Sequence, residues 1–421
     1  MKRLFSFMML LALVSAGVLS GCGNTTPKAP TYSGSIIGQL IDNSDSTKYI
    51  GGAKISVEGF SKTTTSTSDG KFKLENVPFE KDTILVTITC SEYLTKTTSF
   101  TVTKEIQQKK EKDLGIILLK ATPEIYISGE ATSSINNNHY ACYWHFKENG
   151  SIKKEELGSG RGKSIYVKNN LVYILDINGY WIGKNKVPLT GTLNSMCIYN
   201  DNVYIGGSYS GFPCYWKGTE KHSLSTSSGT VNSIYVYREN IIYTAGHVTE
   251  EQLNKNISKG CYWNNNNINY LLVNSGYVDE ISSLFFDNGT LHTVGYKANV
   301  PSIGPPTINY YYWKDTNLQE NLISGKLIYI YNKKPYIVSE YNNLYVDNEV
   351  VFKSNWEQKE RVNALYVYDN IIYMVGSYQI DNTIYPCYWI AEQPNKVTRY
   401  DLTDNSGART TGEALGLYIS E

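Results

Sequence analysis

The feature that most constrains this chain is a motif that keeps returning between residues 122 and 421. A strand of the form Ser/Ala-aliphatic-Tyr leads into a short Asn/Asp turn, a Tyr-containing strand ending in Gly, a loop, and the pair Tyr-Trp. Two copies read SIYVYRENIIYTAG then CYW (233 to 246, 261 to 263) and ALYVYDNIIYMVG then CYW (364 to 376, 387 to 389). Units this short cannot bury their own apolar faces, so they must stack on one another as an all-β array.

Counting the copies points to a β-propeller. Innermost strands are expected to begin near Ser164, Ser195, Ser233, Ser282, Leu327, Ala364 and Ala414, with a mean spacing of about 42 residues, inside the range of a four-stranded blade. Third strands are marked by Tyr143-Trp144, Tyr180-Trp181, Tyr215-Trp216, Tyr262-Trp263, Tyr312-Trp313, Leu344-Tyr345 and Tyr388-Trp389. The sixth copy lacks the Trp and the second is short, so a count of seven leaves six and eight open. EALGLYIS (413 to 420) has no following Tyr-Gly strand, and EIYISGE (124 to 130) has no preceding one. Together they complete one blade, the expected signature of a ring closed by pairing the two chain ends and leaving no exposed edge. Asn200-Asp201-Asn202 and Asp369-Asn370 supply the positive φ angles that the first hairpins require. The repeat resembles propellers in general. It lacks the Gly-His and Trp-Asp pairs of WD40 blades and the double glycine of kelch.

At the other end, Lys2 and Arg3 precede an apolar run from Leu4 to Val18 and then Leu19-Ser20-Gly21-Cys22. The run is short for a membrane span and is followed by small residues, as in a cleavable secretory signal. The tetrapeptide resembles the bacterial lipoprotein signal, which implies cleavage after residue 21 and a diacylglycerol on the thiol of Cys22. The expected organisation is therefore a signal peptide (1 to 21), a lipidated Cys and polar tether (22 to 32), a small β domain (33 to 121) and the propeller (122 to 421). The expected location is the extracytoplasmic side of a bacterial envelope, attached to the membrane through the lipid.

Residues 33 to 121 have a grammar of their own: GGAKISVEG (51 to 59), TSTSDGKFKLENVP (65 to 78), TILVTITCSEYL (83 to 94) and DLGIILL (113 to 119). Apolar and polar residues alternate, and Asp69-Gly70 sits where a tight hairpin turns. The Gly-Ala-x-Ile-x-Val-x-Gly strand, the Thr-x-x-Asp-Gly-x-Phe-x-Leu hairpin followed by Asn76-Val77-Pro78, and Asp113-Leu114-Gly115 resemble the carboxypeptidase regulatory-like domain. The resemblance implies a prealbumin-like β-sandwich serving as stalk or spacer, without peptidase chemistry. Glu92-Tyr93 stands where that family often has Gly-Tyr. The mixed-charge run KEIQQKKEK (104 to 112) is expected to be a solvated loop or strand end.

Composition narrows the function. Basic and acidic residues number 39 each, and 37 against 39 once the signal is removed. A near-neutral chain offers no basic face for nucleic acid. Cys142, Cys214, Cys261 and Cys387 all precede Tyr-Trp, so they occupy equivalent places in different blades, too far apart for disulfides or a shared metal. They are expected in the core, as are Cys90 and Cys197. There is no HExxH, Gly-x-Ser-x-Gly, phosphate loop or EF-hand. No cofactor or metal is implied, and the five histidines show no ligand spacing.

A non-catalytic scaffold that binds a protein or a carbohydrate is therefore expected. The contacts are assigned to the variable segments between second and third strands, 208 to 213, 247 to 260, 296 to 310 and 377 to 386. The candidate ligand-binding residues there are Tyr209, Phe212, His247, Tyr296, Tyr378 and Tyr385, with Tyr310 beside them. The alternative is a polysaccharide-active enzyme, a glycosidase or lyase, with carboxylates in the channel. Glu130, Glu250, Glu251 and Glu340 are the candidates near second-strand ends. The anchoring expectation has a direct check: Cys22→Ala moves the protein from the detergent to the aqueous phase on detergent partitioning, and a variant still in the detergent phase contradicts it.

Overall fold

The computed structural model describes residues 32–132, 138–147, 150–238, 240–252, 255–273, 276–299, 307–320, 323–393 and 396–420. Cys22 and the signal lie outside the described residues. The chain divides into two compact units, Met1–Thr122 and Pro123–Glu421.

The first unit holds two sheets around one core. A three-stranded sheet orders Lys71–Pro78, Ser33–Asp42 and Glu111–Leu119, the last two running parallel. A four-stranded antiparallel sheet orders Phe60–Thr65, Lys54–Val57, Thr83–Cys90 and Tyr93–Thr101. Alternate residues of both, including Ile36, Leu40, Ile55, Phe72, Leu74, Val86 and Ile88, fill the space between them. Buried Asp42 ties the unit together: it accepts from Ser44, from the Tyr93 hydroxyl at 2.9 Å and from Lys48 at 3.1 Å. The Ser44 hydrogen bonds lead in holding its carboxyl well below the usual carboxylate range. The charged run at 104 to 112 departs from expectation. Lys104–Lys109 is a one-and-a-half-turn helix, capped by Thr103, whose hydroxyl accepts from Ile106 N, and ended by Lys110 in the left-handed region. An i,i+4 Glu105–Lys109 pair at 2.7 Å supports it.

In the second unit, seven four-stranded antiparallel sheets lie among the described residues. We number them I to VII. Their first strands are Gly412–Ser420 (I), Ser164–Lys168 (II), Thr192–Tyr199 (III), Ser228–Arg238 (IV), Glu280–Asp287 (V), Leu327–Tyr331 (VI) and Arg361–Tyr368 (VII). These strands touch in a closed cycle, each against that of the next sheet and the seventh against the first. Sheet I joins the two ends of the unit: Gly412–Ser420 pairs antiparallel with Glu124–Thr132, which continues to His139–Lys147 and Lys153–Ser159. This is a β-propeller. The first hairpins turn on Asn169-Asn170, Asn200-Asp201, Asn332-Lys333 and Asp369-Asn370, all at positive φ.

The repeat's glycine has a cause that lies in the neighbouring strand. In sheets I, III, IV, V and VII the first strand carries a β-bulge, skipping one residue at Leu415, Asn194, Asn232, Ser282 and Asn363. Opposite each bulge the second strand has Gly129, Gly207, Gly246, Gly295 or Gly376. A Cβ there would collide with the carbonyl oxygen of Glu413, Thr192, Thr230, Glu280 or Arg361 respectively. Sheets II and VI have no bulge in this pair, and their second strands have no glycine. The bulge turns side chains toward the next sheet. Asn194 donates to Val231 O at 2.8 Å, Asn232 to Ile281 O at 2.9 Å and Asn363 to Ala414 O at 2.8 Å. In sheet II, Lys163 does the same work, its ammonium donating to Leu193 O at 2.6 Å.

Between sheets, the Tyr-Trp pairs and their cysteines fill the core: Trp144, Trp263, Trp313 and Trp389 are all but sealed, as are Cys142, Cys214, Cys261 and Cys387. All six described cysteines are free thiols. Cys90 and Cys197 are partly buried and pack against the margins of two core clusters. Gly246→Ala is expected to cost about 1–3 kcal/mol through overpacking against the bulge carbonyl; a lowered urea midpoint at unchanged m-value checks it.

Candidate functional site

Two ends of the propeller can be told apart from the strand order. First-to-second hairpins lie at one end; second-to-third turns and the connections between sheets lie at the other. At the level of the first hairpins the repeat's Ser/Ala-aliphatic-Tyr places one ring per sheet on the axis. Tyr166, Tyr418, Tyr366, Tyr329, Phe285 and Tyr235 follow one another with centroids 4.8, 6.4, 5.2, 4.7 and 6.2 Å apart. Cys197 holds the equivalent place in sheet III and interrupts the circle. These half-buried rings narrow the channel, and burial pushes the Tyr166 hydroxyl up and the Cys197 thiol up to about 11.

The other end is charged around its mouth. Glu130 and Glu413 are cross-strand neighbours in sheet I. Arg161, entering sheet II, sets its Nε 3.3 Å from Glu130 and donates from Nη2 to Glu413. Arg361 of sheet VII lies 3.7 Å from the other Glu413 oxygen, with its side chain 62% exposed. His139 stands 3.6 Å from Glu130. Lys326 donates from Nζ to Asn342 Oδ1 at 2.6 Å, and the same oxygen accepts from Val362 N at 3.0 Å. Burial, with Arg361 nearby, pushes the Lys326 ammonium down to about 8. Across the mouth, Glu280 accepts from the Tyr296 hydroxyl at 2.7 Å and from the Asn232 amide, and lies 4.0 Å from His247.

The candidate carboxylates do not come together as expected. Glu250 is held by Lys259 at 2.5 Å and by the Tyr270 hydroxyl at 3.0 Å on an outlying hairpin, where the Lys259 contact lowers its pKa. Glu251 and Glu340 are exposed. Glu130 does have a carboxylate partner, Glu413, which the sequence did not single out; both form ion pairs with Arg161, Glu413 through a hydrogen bond from Nη2. Two carboxylates sharing one guanidinium form a charge clasp between sheets.

The predicted rings divide. Tyr209 and Phe212 are 40% and 44% exposed and face each other across a Ser210-Gly211 turn, with the Lys221 ammonium 4.1 Å over the Tyr209 ring. His247, Tyr296, Tyr310 and Tyr385 are half-buried. Tyr378 is a correction: it is 1% exposed. The segment around it is a continuous hairpin, Ile371–Ile380 with Thr383–Gln393, so position 378 alternates inward. Its hydroxyl donates to Asp401 at 2.8 Å, its ring stacks on Tyr385 at 5.5 Å, and the Arg399 guanidinium covers it at 3.9 Å. The segment 247 to 260 is likewise a strand pair rather than a loop over its described part.

Sequence reasoning missed the two most exposed large hydrophobic side chains among the described residues, Trp356 at 81% and Tyr341 at 76%. Tyr341 sits in the second-to-third turn of sheet VI, and Trp356 in the connection from sheet VI to sheet VII, so both are at the charged end. Hydrogen bonds join their backbones: Ser354 donates from Oγ to Tyr341 O at 2.6 Å and from N to Asn343 Oδ1 at 3.0 Å. The turn under Trp356 is fixed by Lys359 N to Trp356 O and by buried Glu360, which accepts from Asn355 N at 2.6 Å and from Arg399 at 2.8 Å. Tyr378 is thus the floor beneath Arg399, and Arg399 holds the turn that presents Trp356. Asn342, next to Tyr341, is the residue that joins Lys326 to the Arg361 strand. A signal existed: Trp356 is the one tryptophan of seven that Tyr does not precede.

No family model matches the chain, and no curated protein matches it. Among solved structures, the computationally designed Ika8 protein is 12% identical, with 68% of this chain and 96% of that one covered and a TM-score of 0.39. The β-propeller domain of the Trilobed protease from Pyrococcus furiosus is 12% identical, covering 68% and 93% at a TM-score of 0.39. Apo AztD from Citrobacter koseri is 9% identical, covering 88% and 99% at a TM-score of 0.36.

Because the other six tryptophans are buried and Trp356 is not, acrylamide is expected to quench a single class of accessible emission that Trp356→Phe removes. The same substitution leaves the unfolding free energy within about 0.5 kcal/mol of the parent, as read from urea denaturation. Unchanged quenching in the variant contradicts the placement.

Proposed function

We propose that this chain is a lipid-anchored extracytoplasmic bacterial protein whose seven-bladed, strand-closed propeller binds a glycan without turning it over. Cys22 carries the lipid, and residues 33 to 121, a carboxypeptidase regulatory-like sandwich, space the propeller from the bilayer. The binding face is the end bearing the second-to-third turns. The observation that carries this reading is the pair Tyr341 and Trp356, two exposed rings on adjoining turns whose backbones are locked to each other and to the sheets below.

Aromatic faces left in water are costly unless something covers them, and sugar rings present the apolar C–H faces that stack on them. Locked turns lose little entropy on binding, so a modest contact area gives usable affinity. The non-catalytic part of the proposal is supported by the Glu130–Arg161–Glu413 clasp, which uses the mouth carboxylates to join sheets. Tyr209 and Phe212, on the corresponding turn of sheet III, extend the face.

The test is a glycan array probed with the full mature chain from residue 22 and with Trp356→Ala and Tyr341→Ala. Each substitution is expected to weaken binding about tenfold while leaving the thermal midpoint in place, as for a contact worth roughly 1 kcal/mol or more. Binding that survives both substitutions, or an array with no binding at all, defeats the proposal.

A further inference from the structure

The aromatic pair lies beside a cluster of cations, and that juxtaposition goes beyond glycan binding as such. Arg361 opens the first strand of sheet VII, immediately after the turn that holds Trp356. Its guanidinium approaches Glu413 at 3.7 Å, and its side chain is 62% exposed. Lys326 immediately precedes the first strand of sheet VI and donates to Asn342, the residue after Tyr341, whose Oδ1 also accepts from Val362 N. Arg161 completes the group across Glu413 and Glu130. Three cations therefore face two carboxylates, and both carboxylates are already engaged by Arg161. Of the other acids nearby, Glu340 lies toward Tyr310 of sheet V, Glu360 is taken up by Arg399, and Glu357 sits on the turn next to Trp356. Among the three cations Arg361 is the most exposed, and its guanidinium is the one open to a ligand.

Resting on the glycan reading above, we infer that the ligand is an anionic polysaccharide, with Trp356 and Tyr341 stacking on sugar rings and the Arg361 guanidinium, backed by Lys326, receiving a negatively charged substituent. Planar guanidinium donors pair with carboxylate or sulfate oxygens through two parallel hydrogen bonds, a geometry that a lysine does not reproduce. Rings supply affinity for any pyranose; the cation supplies the discrimination.

The experiment is calorimetric titration of the full mature chain with three forms of one oligosaccharide series: uronate-containing, the same material with its carboxyl groups reduced, and a sulfated neutral analogue. The uronate or the sulfated form is expected to bind at least tenfold tighter than the reduced form, with the advantage shrinking as salt is raised. Arg361→Gln removes that advantage and leaves the weak binding of the reduced form unchanged, and Arg361→Lys restores only part of it. Trp356→Ala weakens all forms together. Because Lys326 has a structural contact, Arg361→Gln, at an exposed side chain, is the deciding variant, with its thermal midpoint as the folding control. Equal binding of charged and reduced forms overturns the inference while leaving the glycan reading standing. Charged forms that bind tighter but are indifferent to Arg361→Gln also overturn it. Failure of every form, together with an empty array, removes the glycan reading itself.

Discussion

Everything in the propeller depends on how the innermost strands hold one another. A propeller blade is a four-stranded sheet with no core of its own, so the backbone at its inner edge must find partners in the next sheet. Here the problem is met by a bulge. By skipping one residue in the first strand, sheets III, IV and VII turn an Asn amide toward a carbonyl of the next sheet. Each of these carbonyls thereby gains a donor from the neighbouring sheet; a buried carbonyl left unpaired costs about 1–3 kcal/mol. The bulge also pushes a carbonyl into the second strand, and only glycine leaves space for it. One local irregularity thus explains the repeat's glycine, the Asn before its Ser or Ala, and the continuity of the ring.

This dependence also explains what could be read from the chain and what could not. Strand and turn positions were legible because their causes are local: alternation of side chains, and Asn or Asp where φ must be positive. The last strand's pairing with residues 124 to 132 was legible because each lacked a partner within its own copy of the repeat. The Tyr of Ser-aliphatic-Tyr was visible as a repeat but its place on the axis was not, since that follows from ring closure. Tyr378 was misjudged because a second-to-third segment with variable sequence looks like a loop, whereas Asp381 and Asn382 close a tight turn at positive φ and keep position 378 inside the sheet. The clasp of Arg161 with Glu130 and Glu413 joins residues more than 250 positions apart, and no spacing rule reaches that far.

Sheet VI is where the repeat is weakest, and it is also where the face is most exposed. Its third strand, Leu344–Val346, has only three residues and carries Leu-Tyr in place of Tyr-Trp. Its first strand lacks the bulge, so no Asn reaches forward; Lys326 and Asn342 together make the link to sheet VII. Sheet II also lacks the bulge, but there the deviation is absorbed internally. Buried Asp176 accepts from Arg161 N at 2.8 Å and from Lys186 at 2.6 Å, and Lys163 takes over the forward hydrogen bond.

The two departures from the repeat therefore have different outcomes. In sheet II the buried carboxylate of Asp176 is taken up by Lys186 and the Arg161 backbone, and Lys163 makes the link to sheet III. In sheet VI the shorter third strand ends in turns that carry Tyr341 and Trp356 into solvent, and the cation replacing the Asn stands next to Arg361. A sheet that only had to fill its place in the ring would gain stability by keeping the bulge, the glycine and the Tyr-Trp pair that five of its neighbours share. A copy of the repeat that gives up local consistency, while its surrounding backbone is held by Glu360, Arg399 and Tyr378, is where a recognition site is expected. The proposed binding face thus coincides with an exception in the chain: the copy of the repeat that fails to match, and the one tryptophan standing outside its frame.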